Sequence, residues 1–353
     1  MGRTPKLVRR ALLPAALALL GVLAALLLRG WAGQQAHQRE LFAMDTFMTL
    51  TAWGPQGQEA LDAAVEELRR LDALLSTGSA ASEVSRLSRE GGGPVSEDTA
   101  ALLAASLEAY RATEGVFDPT IYPLMELWGF PDKDYRVPAA AEIAAVLPLV
   151  DASRIRLEDG RAALGPGQKL DFGGIAKGYA AARVIEILRA HGVTSAMVSL
   201  GGNIQTLGRK PDGSPWRIGI QDPEAPQGAA LAAVEACDLA VVTSGGYQRY
   251  FEADGQRYVH ILDPRTGSPA ESDLLSATVV SADGTLADAL STALYIQGRE
   301  GAEALWRASG GSFDMVLVSE AGEVLVTEGL RHSFQWERPA VLLTLAGGRG
   351  TLP

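Results

Sequence analysis

The segment at 169–179, KLDFGGIAKGY, constrains the fold more than any other part of this chain. A strand-like stretch leads into two glycines, and small or apolar residues then recur at three- and four-residue spacing, which predicts a helix ending near Ala190. Paired glycines let a backbone approach a ligand closely, and a helix N-terminus suits a phosphate. Asp171 and Lys177 add one charge of each sign, and Lys177 is one of only five lysines. Neither common phosphate-loop sequence is present, so a phosphate-binding turn and an ordinary strand-to-helix turn both fit.

The composition is that of an acidic globular protein. With 353 residues, 47% hydrophobic and 21% charged, the chain is long enough for one large domain or two. The first 30 residues hold five basic and no acidic side chains, so the remainder carries 26 basic against 42 acidic groups, a net charge of −16. Such acidity argues against non-specific nucleic-acid binding. An anionic substrate would need local basic side chains or a metal.

The N-terminal segment predicts export. Four basic residues precede an 18-residue apolar run at 11–28, which is long for a signal-peptide core and just long enough to cross a bilayer. The basic flank predicts a cytoplasmic N-terminus, with the rest of the chain outside. We expect residues 1–35 to be a signal peptide or, by preference, a retained signal-anchor helix in the cytoplasmic membrane. No cysteine follows the run, which excludes a lipoprotein, and the single Cys237 excludes an internal disulfide.

The hydrophobic pattern predicts an α+β protein without regular βαβ alternation. Helices are predicted at 59–75, 98–113, 139–148, 176–190, 286–296 and 302–308, with Ser96 as the N-cap of the second. Strands are predicted at 44–53, 155–158, 162–164, 169–172, 196–200, 204–207, 216–221, 230–234, 240–244, 260–262, 276–281, 315–319 and 324–327, with a hairpin turn at Asp159-Gly160. We expect a linker at 36–43, a loop with one turn of helix at 76–93, one domain at 36–340 and a frayed tail at 341–353.

A second segment, at 283–292, carries oxygen ligands. Asp288 and Thr292 are four residues apart on a predicted helix, so their side chains project from one face. A carboxylate, a hydroxyl and a loop carbonyl form an oxygen set suited to Mg²⁺. An acidic first helical turn, stabilised by the helix dipole, would give the same pattern. Both interpretations stand on the residues alone.

Three turn-rich segments are further candidates. Residues 199–203, SLGGN, end a strand in two glycines, which indicates either a nest of backbone donors or a simple turn. Residues 243–251 and 260–269 bring Tyr, Arg, His and Asp together in loops, where functional residues concentrate. His260 is the only one of four histidines set among such groups, which makes it a candidate for proton transfer. The sequence contains no Cys/His cluster with metal-site spacing.

Nine groups of short motifs occur in a fixed order along the chain. They are MDT (44–46), LST (75–77) with SEVS (82–85), GVFDPT (115–120) with LWGF (127–130), LDFGGIAKGY (170–179), VSLGGN (198–203), GIQDP (219–223), VTSG (242–245), HILDPRTG (260–267) and ADALSTA (287–293). Together they resemble the ApbE family, the FAD:protein FMN transferases, over about residues 40–335. The resemblance implies an α+β, T-fold-related architecture of mixed sheets with flanking helices, preceded here by the N-terminal apolar helix.

The resemblance also implies an activity. Such enzymes bind FAD and Mg²⁺, transfer the FMN half of FAD to a threonine hydroxyl of an acceptor flavoprotein and release AMP. The implied acceptors are subunits of the sodium-translocating NADH:quinone reductase and of Rnf-type complexes, which present the threonine on the outer face of the membrane. This agrees with the export segment, so we expect the catalytic domain to face the periplasm or the outside of the cell.

Site residues follow from the same resemblance. The metal would be held by Asp288, Thr292 and the Gly174 carbonyl, with Ser291 at a position where some relatives have another carboxylate. An FAD phosphate would bind Lys177, and FAD hydroxyls would bind Asp171. The other implied contacts to FAD are Met44, Asp118, Pro119, Thr120 and Leu262. The acceptor hydroxyl would lose its proton to His260 or, alternatively, to Asp263.

Three positions depart from the family pattern. Gly78 stands where a Tyr is common, Gly246 where an acidic residue is frequent, and Tyr122 where a Gly is frequent. We expect Tyr122 to supply the aromatic ring that is missing at Gly78. Two alternatives to the transferase stay open: a pyrophosphatase that cleaves FAD to FMN and AMP, and a non-catalytic protein that binds FAD or assists assembly. The Asp288 and Thr292 pair favours catalysis, because a carrier needs no metal.

Overall fold

The computed structural model describes residues 35–226, 228–336, 340–346 and 349–352. The predicted signal or anchor segment at 1–35 lies outside this part of the chain, apart from Gln35. Within the described ranges, no helix is both long and apolar enough to cross a membrane.

The described helices and strands follow one another without regular alternation. The helices are α1 (Gly57–Leu75), α2 (Glu83–Glu90), α3 (Glu97–Ala112), α4 (Tyr122–Leu127), α5 (Ala140–Val146), α6 (Ala176–Ala190) and α7 (Gly284–Ala308). The strands are β1 (Ala36–Ala43), β2 (Thr46–Trp53), β3 (Gly92–Pro94), β4 (Arg156–Glu158), β5 (Arg161–Ala163), β6 (Ala196–Leu200), β7 (Asn203–Leu207), β8 (Trp216–Gln221), β9 (Ala230–Ala236), β10 (Ala240–Gly245), β11 (Tyr250–Ala253), β12 (Gln256–Val259), β13 (Leu262–Asp263), β14 (Ser268–Pro269), β15 (Leu274–Ser281), β16 (Asp314–Ser319), β17 (Val324–Thr327), β18 (Phe334–Gln335), β19 (Ala340–Leu343) and β20 (Arg349–Leu352).

A ten-stranded sheet forms the centre of the protein. Its strand order is β1-β2-β6-β7-β10-β15-β16-β17-β19-β20. Neighbouring strands run antiparallel except for the parallel pair of β17 and β19. Antiparallel neighbours need no helical crossover, which agrees with the irregular order of helices and strands in the sequence.

The two faces of this sheet bury different cores. On β10, Val242 packs in the larger core with the helices α1, α6 and α7, whereas the adjacent Val241 packs in a smaller core on the opposite face. Val279 and Val280 of β15 divide in the same way. Successive side chains of a strand point to opposite faces, and the three-stranded sheet β18-β9-β8 covers the second one with residues such as Trp216. The helical layer therefore lies on one face only.

Several predicted features are confirmed. Helix α3 begins after Ser96, whose hydroxyl accepts a hydrogen bond from the Thr99 N–H at 3.3 Å. Helix α6 ends at Ala190, as its periodicity predicts. Asp159 and Gly160, at φ 47° and 67°, form the turn between β4 and β5. Both residues have the positive φ that a two-residue hairpin turn requires.

The predicted linker and the predicted frayed tail both contain strands. Residues 36–43 are β1, which pairs with β2 along its whole length, so the linker prediction is wrong. Exposed and partly buried side chains alternate along β1, and such an edge strand has a polar face that resembles a linker in sequence. In the tail, β19 pairs with β17 and β20 pairs with β19 instead of fraying. Leu342 and Leu343 are buried there.

Two other segments differ from their predictions. The loop expected at 76–93 contains α2 and β3, and Ser82 caps α2 by accepting from the Ser85 N–H at 3.0 Å. The strand expected at 169–172 is a segment without regular secondary structure, outside the described sheets. There the Leu170 N–H donates to Ser88 Oγ at 2.9 Å and the Asp171 N–H donates to the Pro119 carbonyl at 2.8 Å. These loop partners satisfy the backbone groups that a strand would have paired in a ladder.

Candidate active site

One cleft gathers most of the side chains singled out from the sequence. It has a volume of about 1120 Å³ and opens where α6 begins, beside the ends of β7 and β10. Nine predicted residues line it: Met44, Asp118, Asp171, Gly174, Lys177, His260, Leu262, Asp288 and Thr292. Four others, Pro119, Thr120, Asp263 and Ser291, are not part of its lining. The turn at 169–179 and the segment at 283–292 thus share one site.

Gly178 lets α6 and α7 approach each other beside the cleft. The Gly178 N–H donates to Asp288 Oδ2 at 2.9 Å, and its carbonyl accepts from Gln205 Nε2 at 3.0 Å. A Cβ on residue 178 would lie 2.8 Å from Asp288 Cβ, so a larger residue would force the helices apart. Gly178 is not among the site residues predicted from the sequence. Its signal was a glycine inside an otherwise helical pattern, which often marks a close approach of this kind.

The turn before α6 holds one charge on each side of Gly173. Asp171 Oδ1 accepts from the Gly173 N–H at 2.6 Å, and Lys177 Nζ donates to the Gly173 carbonyl at 3.0 Å. Burial raises the pKa of Asp171, while the Gly173 N–H and the positive charges of Lys177 and Arg249 oppose that rise. Asp171 is therefore fixed in the turn, and the Lys177 ammonium is held at the cleft.

Thr292 and Gly174 converge with Asp288. Thr292 Oγ1 lies 3.3 Å from Ser244 Oγ and 3.4 Å from the Asp288 carbonyl oxygen. A Cβ on residue 174 would lie 3.5 Å from Thr292 Oγ1, so the turn passes close to this hydroxyl. Among the residues that the structure describes, no group of three or more His, Cys, Asp or Glu side chains could hold a metal. A metal here would depend on one carboxylate with hydroxyl and carbonyl oxygens, a set that suits Mg²⁺.

Ser291 lies behind this site. Its side chain is fully buried, and its Oγ lies 2.8 Å from Ser244 Oγ and donates to the Asp288 carbonyl at 2.9 Å. Both bonds stay inside the protein, and Ser291 is absent from the cleft lining. The structure thus assigns Ser291 to the support of Ser244 and α7, in contrast to its predicted place among the metal ligands.

His260 presents a neutral imidazole to the cleft. Its Nδ1 lies 2.9 Å from the Arg249 carbonyl oxygen, which places a proton on Nδ1 and leaves Nε2 as an acceptor. Burial lowers the pKa of His260 to about 4, and the positive charges of Arg249 and Lys177 act in the same direction. At neutral pH the ring is therefore uncharged and able to accept a proton.

Arg249 is a cleft residue that the sequence analysis did not single out. Its Nη2 donates to the Phe130 carbonyl at 2.6 Å, and its Nη1 lies 3.4 Å from Asp45 Oδ2. The guanidinium thus adds a positive charge to the cleft that Lys133 and Lys177 also line. Arg249 belongs to the segment at 243–251, which the sequence marks as rich in functional residue types. Sequence alone does not show which arginine of a loop faces a cleft.

The structure argues against Asp263 as a proton acceptor. Its carboxylate forms a two-point ion pair with Arg265, with Nε–Oδ1 at 2.9 Å and Nη2–Oδ2 at 2.8 Å. Leu262 and Asp263 are consecutive residues of β13, and consecutive side chains of a strand point in opposite directions. Leu262 therefore faces the cleft, whereas Asp263 stabilises the following turn.

The predicted contacts at 118–120 are mainly internal. Asp118 Oδ1 accepts from the N–H and the hydroxyl of Thr120 at 2.7 and 2.6 Å, and Oδ2 accepts from the Ala152 N–H at 3.0 Å. Thr120 is fully buried, and Pro119 holds the backbone of Asp171. Of this group only Asp118 lines the cleft, and the others fix the loop around it.

Comparison with known proteins identifies the family. The sequence profile of the ApbE family matches residues 44–317. This chain belongs to the ApbE family. It is 35% identical over 284 residues to a FAD:protein FMN transferase of Klebsiella pneumoniae (strain 342), a match that covers 78% of this chain and 87% of that protein. The family predicted from the nine motif groups is confirmed.

ApbE proteins of known structure share this fold. The crystal structure of the ApbE protein from Thermotoga maritima matches with a TM-score of 0.79 at 32% identity, covering 84% of this chain and 98% of that one. The apo form of the Pseudomonas stutzeri flavinyl transferase ApbE matches with a TM-score of 0.74 at 35% identity, covering 82% and 93%. The predicted mixed α+β fold with flanking helices is confirmed, whereas the N-terminal apolar helix stays a prediction.

The structure shows how much space surrounds the positions that depart from the ApbE pattern. Gly78 and Tyr122 both line the cleft, as does Thr77, the residue before Gly78. A Cβ on residue 78 would meet only Ser76 Oγ, at 3.9 Å, so an aromatic side chain has room there. At Gly246 a Cβ would lie 2.8 Å from Val259 Cγ1, which leaves little space for an acidic residue.

Proposed function

We propose that this protein is an FAD:protein FMN transferase, which moves the FMN half of FAD to a threonine hydroxyl of an acceptor flavoprotein and releases AMP. The observation that carries the proposal is the position of His260, whose neutral imidazole lines the same cleft as the Asp288 and Thr292 oxygens. A proton acceptor beside a candidate metal site is what transfer to a hydroxyl requires. The names of the curated relatives support the same activity.

The oxygen set of the cleft fits Mg²⁺. Asp288 uses Oδ2 for the Gly178 N–H, so Oδ1 remains for a metal, together with Thr292 Oγ1 and the Gly174 carbonyl. Mg²⁺ takes oxygen ligands and keeps several waters, so one carboxylate with neutral oxygens is sufficient when phosphate supplies the rest. Bound there, the ion would neutralise negative charge on the phosphate oxygens of FAD.

The protein side chains account for binding and for the proton. Lys177 and Arg249 place two positive charges in a cleft of an otherwise acidic protein, and the N-terminus of α6 adds the positive end of its dipole. These groups would hold the diphosphate of FAD and stabilise charge as it develops.

At the reacting phosphorus, transfer makes one bond and breaks one. The acceptor oxygen forms a bond to the phosphorus of the FMN half, and the bond from that phosphorus to the bridging oxygen breaks. AMP leaves with the bridging oxygen, and the hydroxyl proton moves to His260 Nε2. Since AMP leaves as a phosphate anion, the leaving group needs no proton from the protein.

The cellular setting is part of the proposal. The basic and apolar N-terminal segment supports attachment to the cytoplasmic membrane with the cleft on the periplasmic or outer side. Acceptors there would be exported flavoprotein domains, such as subunits of sodium-translocating NADH:quinone reductase or Rnf-type complexes.

A single incubation tests the proposal. The full chain, purified in detergent, is mixed with FAD, Mg²⁺ and an exported acceptor domain that contains the target threonine. Flavin fluorescence that stays with the denatured acceptor, together with one AMP per label, is the expected result. AMP and free FMN without labelling would instead show a pyrophosphatase, in which water replaces the acceptor beside His260. Bound FAD without turnover would show a carrier.

A further inference from the structure

Asn203 carries a buried carboxamide at the wall of the cleft. It is the first residue of β7, it lines the cleft, and its side chain is only 1% exposed. Both Nδ2 and Oδ1 are buried and have no hydrogen-bond partner among the described residues. Buried side-chain amides in folded proteins nearly always have partners. An amide without one calls for an explanation beyond folding.

The neighbours of Asn203 show which way it faces. Gln205, two residues later on β7, reaches the Gly178 carbonyl on α6. Asn203 pairs with Val242 on β10, and Ser244, two residues beyond Val242, contacts Thr292 on α7. Residues two apart on a strand, and residues directly opposite on paired strands, share a face of the sheet. Asn203 therefore points toward the helical layer that contains α6 and α7.

Stability alone does not account for an amide at this place. An unpaired polar group costs stability, and an apolar residue of similar shape would avoid that cost. A ligand that enters the cleft can offset it by supplying the missing partner. The side-chain amide plane of Asn turns about a soft torsion, so a small rotation presents Nδ2 to a bound group.

We propose that Asn203 is a further substrate-binding residue, whose Nδ2 donates to a phosphate oxygen of the FAD diphosphate beside Lys177 and the N-terminus of α6. This inference rests on the proposed function and extends it. The neutral amide adds a donor without adding charge to a cleft that already holds Lys177 and Arg249. Its Oδ1 remains as an acceptor for a hydroxyl near the reacting phosphorus.

Two substitutions at this position and one beside it test the proposal. Asn203→Leu removes both polar atoms at similar volume, and Asn203→Asp replaces the donor with an acid. Gln205→Leu is the matched control, because it removes a carboxamide on the same strand and face that is already paired with Gly178. For each full-length variant, FAD affinity is measured by flavin fluorescence with Mg²⁺, and the melting temperature is measured without ligand.

The expected pattern separates binding from folding. Asn203→Leu should keep or raise the melting temperature yet weaken FAD binding by roughly tenfold to a hundredfold. Asn203→Asp should bind FAD more weakly still, because a carboxylate repels phosphate. Gln205→Leu should lower the melting temperature, because it leaves the Gly178 carbonyl unpaired.

Two results would overturn the proposal. One is an Asn203→Leu protein that melts at a lower temperature but binds FAD as the wild type does, which would show a structural role. The other is FAD affinity that is weaker in Asn203→Leu than in Asn203→Asp, which would exclude a phosphate contact. A wild-type protein that binds FAD without labelling an acceptor would refute the transferase, and the FAD affinities of the variants would still decide the role of Asn203.

Discussion

The N–H of Gly178 and the carboxylate of Asp288 are joined by a hydrogen bond of 2.9 Å across 110 residues of sequence. This bond links the turn that carries Lys177 to the helix that carries Thr292. It also fixes one oxygen of Asp288, so that the other has a defined position in the cleft. This hydrogen bond therefore fixes the positions of the proposed phosphate-binding turn and the proposed metal-binding helix relative to each other.

Replacing Asp288 with asparagine should remove the metal site and keep the fold. The carboxamide oxygen introduced by Asp288→Asn would still accept from the Gly178 N–H, but the negative charge that favours Mg²⁺ would be lost. FMN transfer should fall by roughly a hundredfold or more at saturating Mg²⁺, with little change in melting temperature. The rate of acceptor labelling across a Mg²⁺ titration measures this.

Asp283→Ala is the matched control for Asp288. Asp283 caps α7 by accepting from the Leu286 N–H at 3.0 Å. Its loss should cost about 1 kcal/mol of stability and leave the Mg²⁺ dependence unchanged. Full Mg²⁺-dependent activity in Asp288→Asn would show that Asp288 is not a metal ligand.

Lys177→Ala should mainly weaken FAD binding. The ammonium is held at the cleft by the Gly173 carbonyl, and a charge-assisted bond to phosphate is worth roughly 1.5–3 kcal/mol, so the dissociation constant should rise about tenfold to a hundredfold. Lys210→Ala is the control, because it also removes one ammonium and Lys210 does not line the cleft. Equal FAD affinities for the two variants, measured by fluorescence titration, would remove Lys177 from the phosphate site.

The sequence predicted the class of the fold and most of the site. Periodicity located α6, the Ser96 cap located α3, and the ordered motifs named the family. The edge strand β1 was not predicted, because its exposed side chains are polar. Its pairing with β2, and not its composition, makes it a strand. The strand expected at 169–172 is not formed, although its pattern resembles a strand. Groups from neighbouring segments, instead of another strand, accept the hydrogen bonds of its backbone N–H groups.

The remaining site residues depended on contacts distant in sequence. Nothing near Gly178 indicates that Asp288 will face it, since the two helices meet only in the folded protein. Leu262 and Asp263 both lie within three residues of His260 in sequence, yet of these two only Leu262 lines the cleft. The sequence indicates a turn at 199–203, whereas Asn203 begins β7, and its unpaired amide is visible only in three dimensions.

The position of Tyr122 predicts that it replaces the ring missing at Gly78. Tyr122→Ala should weaken FAD binding by about 0.5–1.5 kcal/mol, the range for an aromatic contact. Adding Gly78→Tyr to that variant should restore affinity, since a side chain at 78 has room in the cleft. Fluorescence titration of the single and double variants measures this. A double variant that binds no better than Tyr122→Ala would show that the two positions are not interchangeable.

The low pKa of His260 predicts how stability and transfer depend on pH. The folded protein keeps the imidazole neutral down to about pH 4, whereas an unfolded histidine takes up a proton near 6.5. The unfolded state therefore binds more protons between these values, so this contribution to stability is complete above pH 6.5 and is lost as the pH falls toward 4. By pH 4 the loss amounts to about 3 kcal/mol relative to His260→Gln, which does not titrate.

Denaturant unfolding of the wild type and His260→Gln at several pH values tests that difference. If the free energy of unfolding changes with pH in the same way for both proteins from pH 7 to 4, His260 is not held neutral by the fold. Transfer gives an independent reading, because His260→Gln removes the proton acceptor and should lower kcat by roughly 10²–10⁴-fold. The affinity for FAD should change much less, since the uncharged ring makes no ion pair with phosphate. Loss of FAD affinity with an unchanged kcat would assign His260 to binding instead of proton transfer.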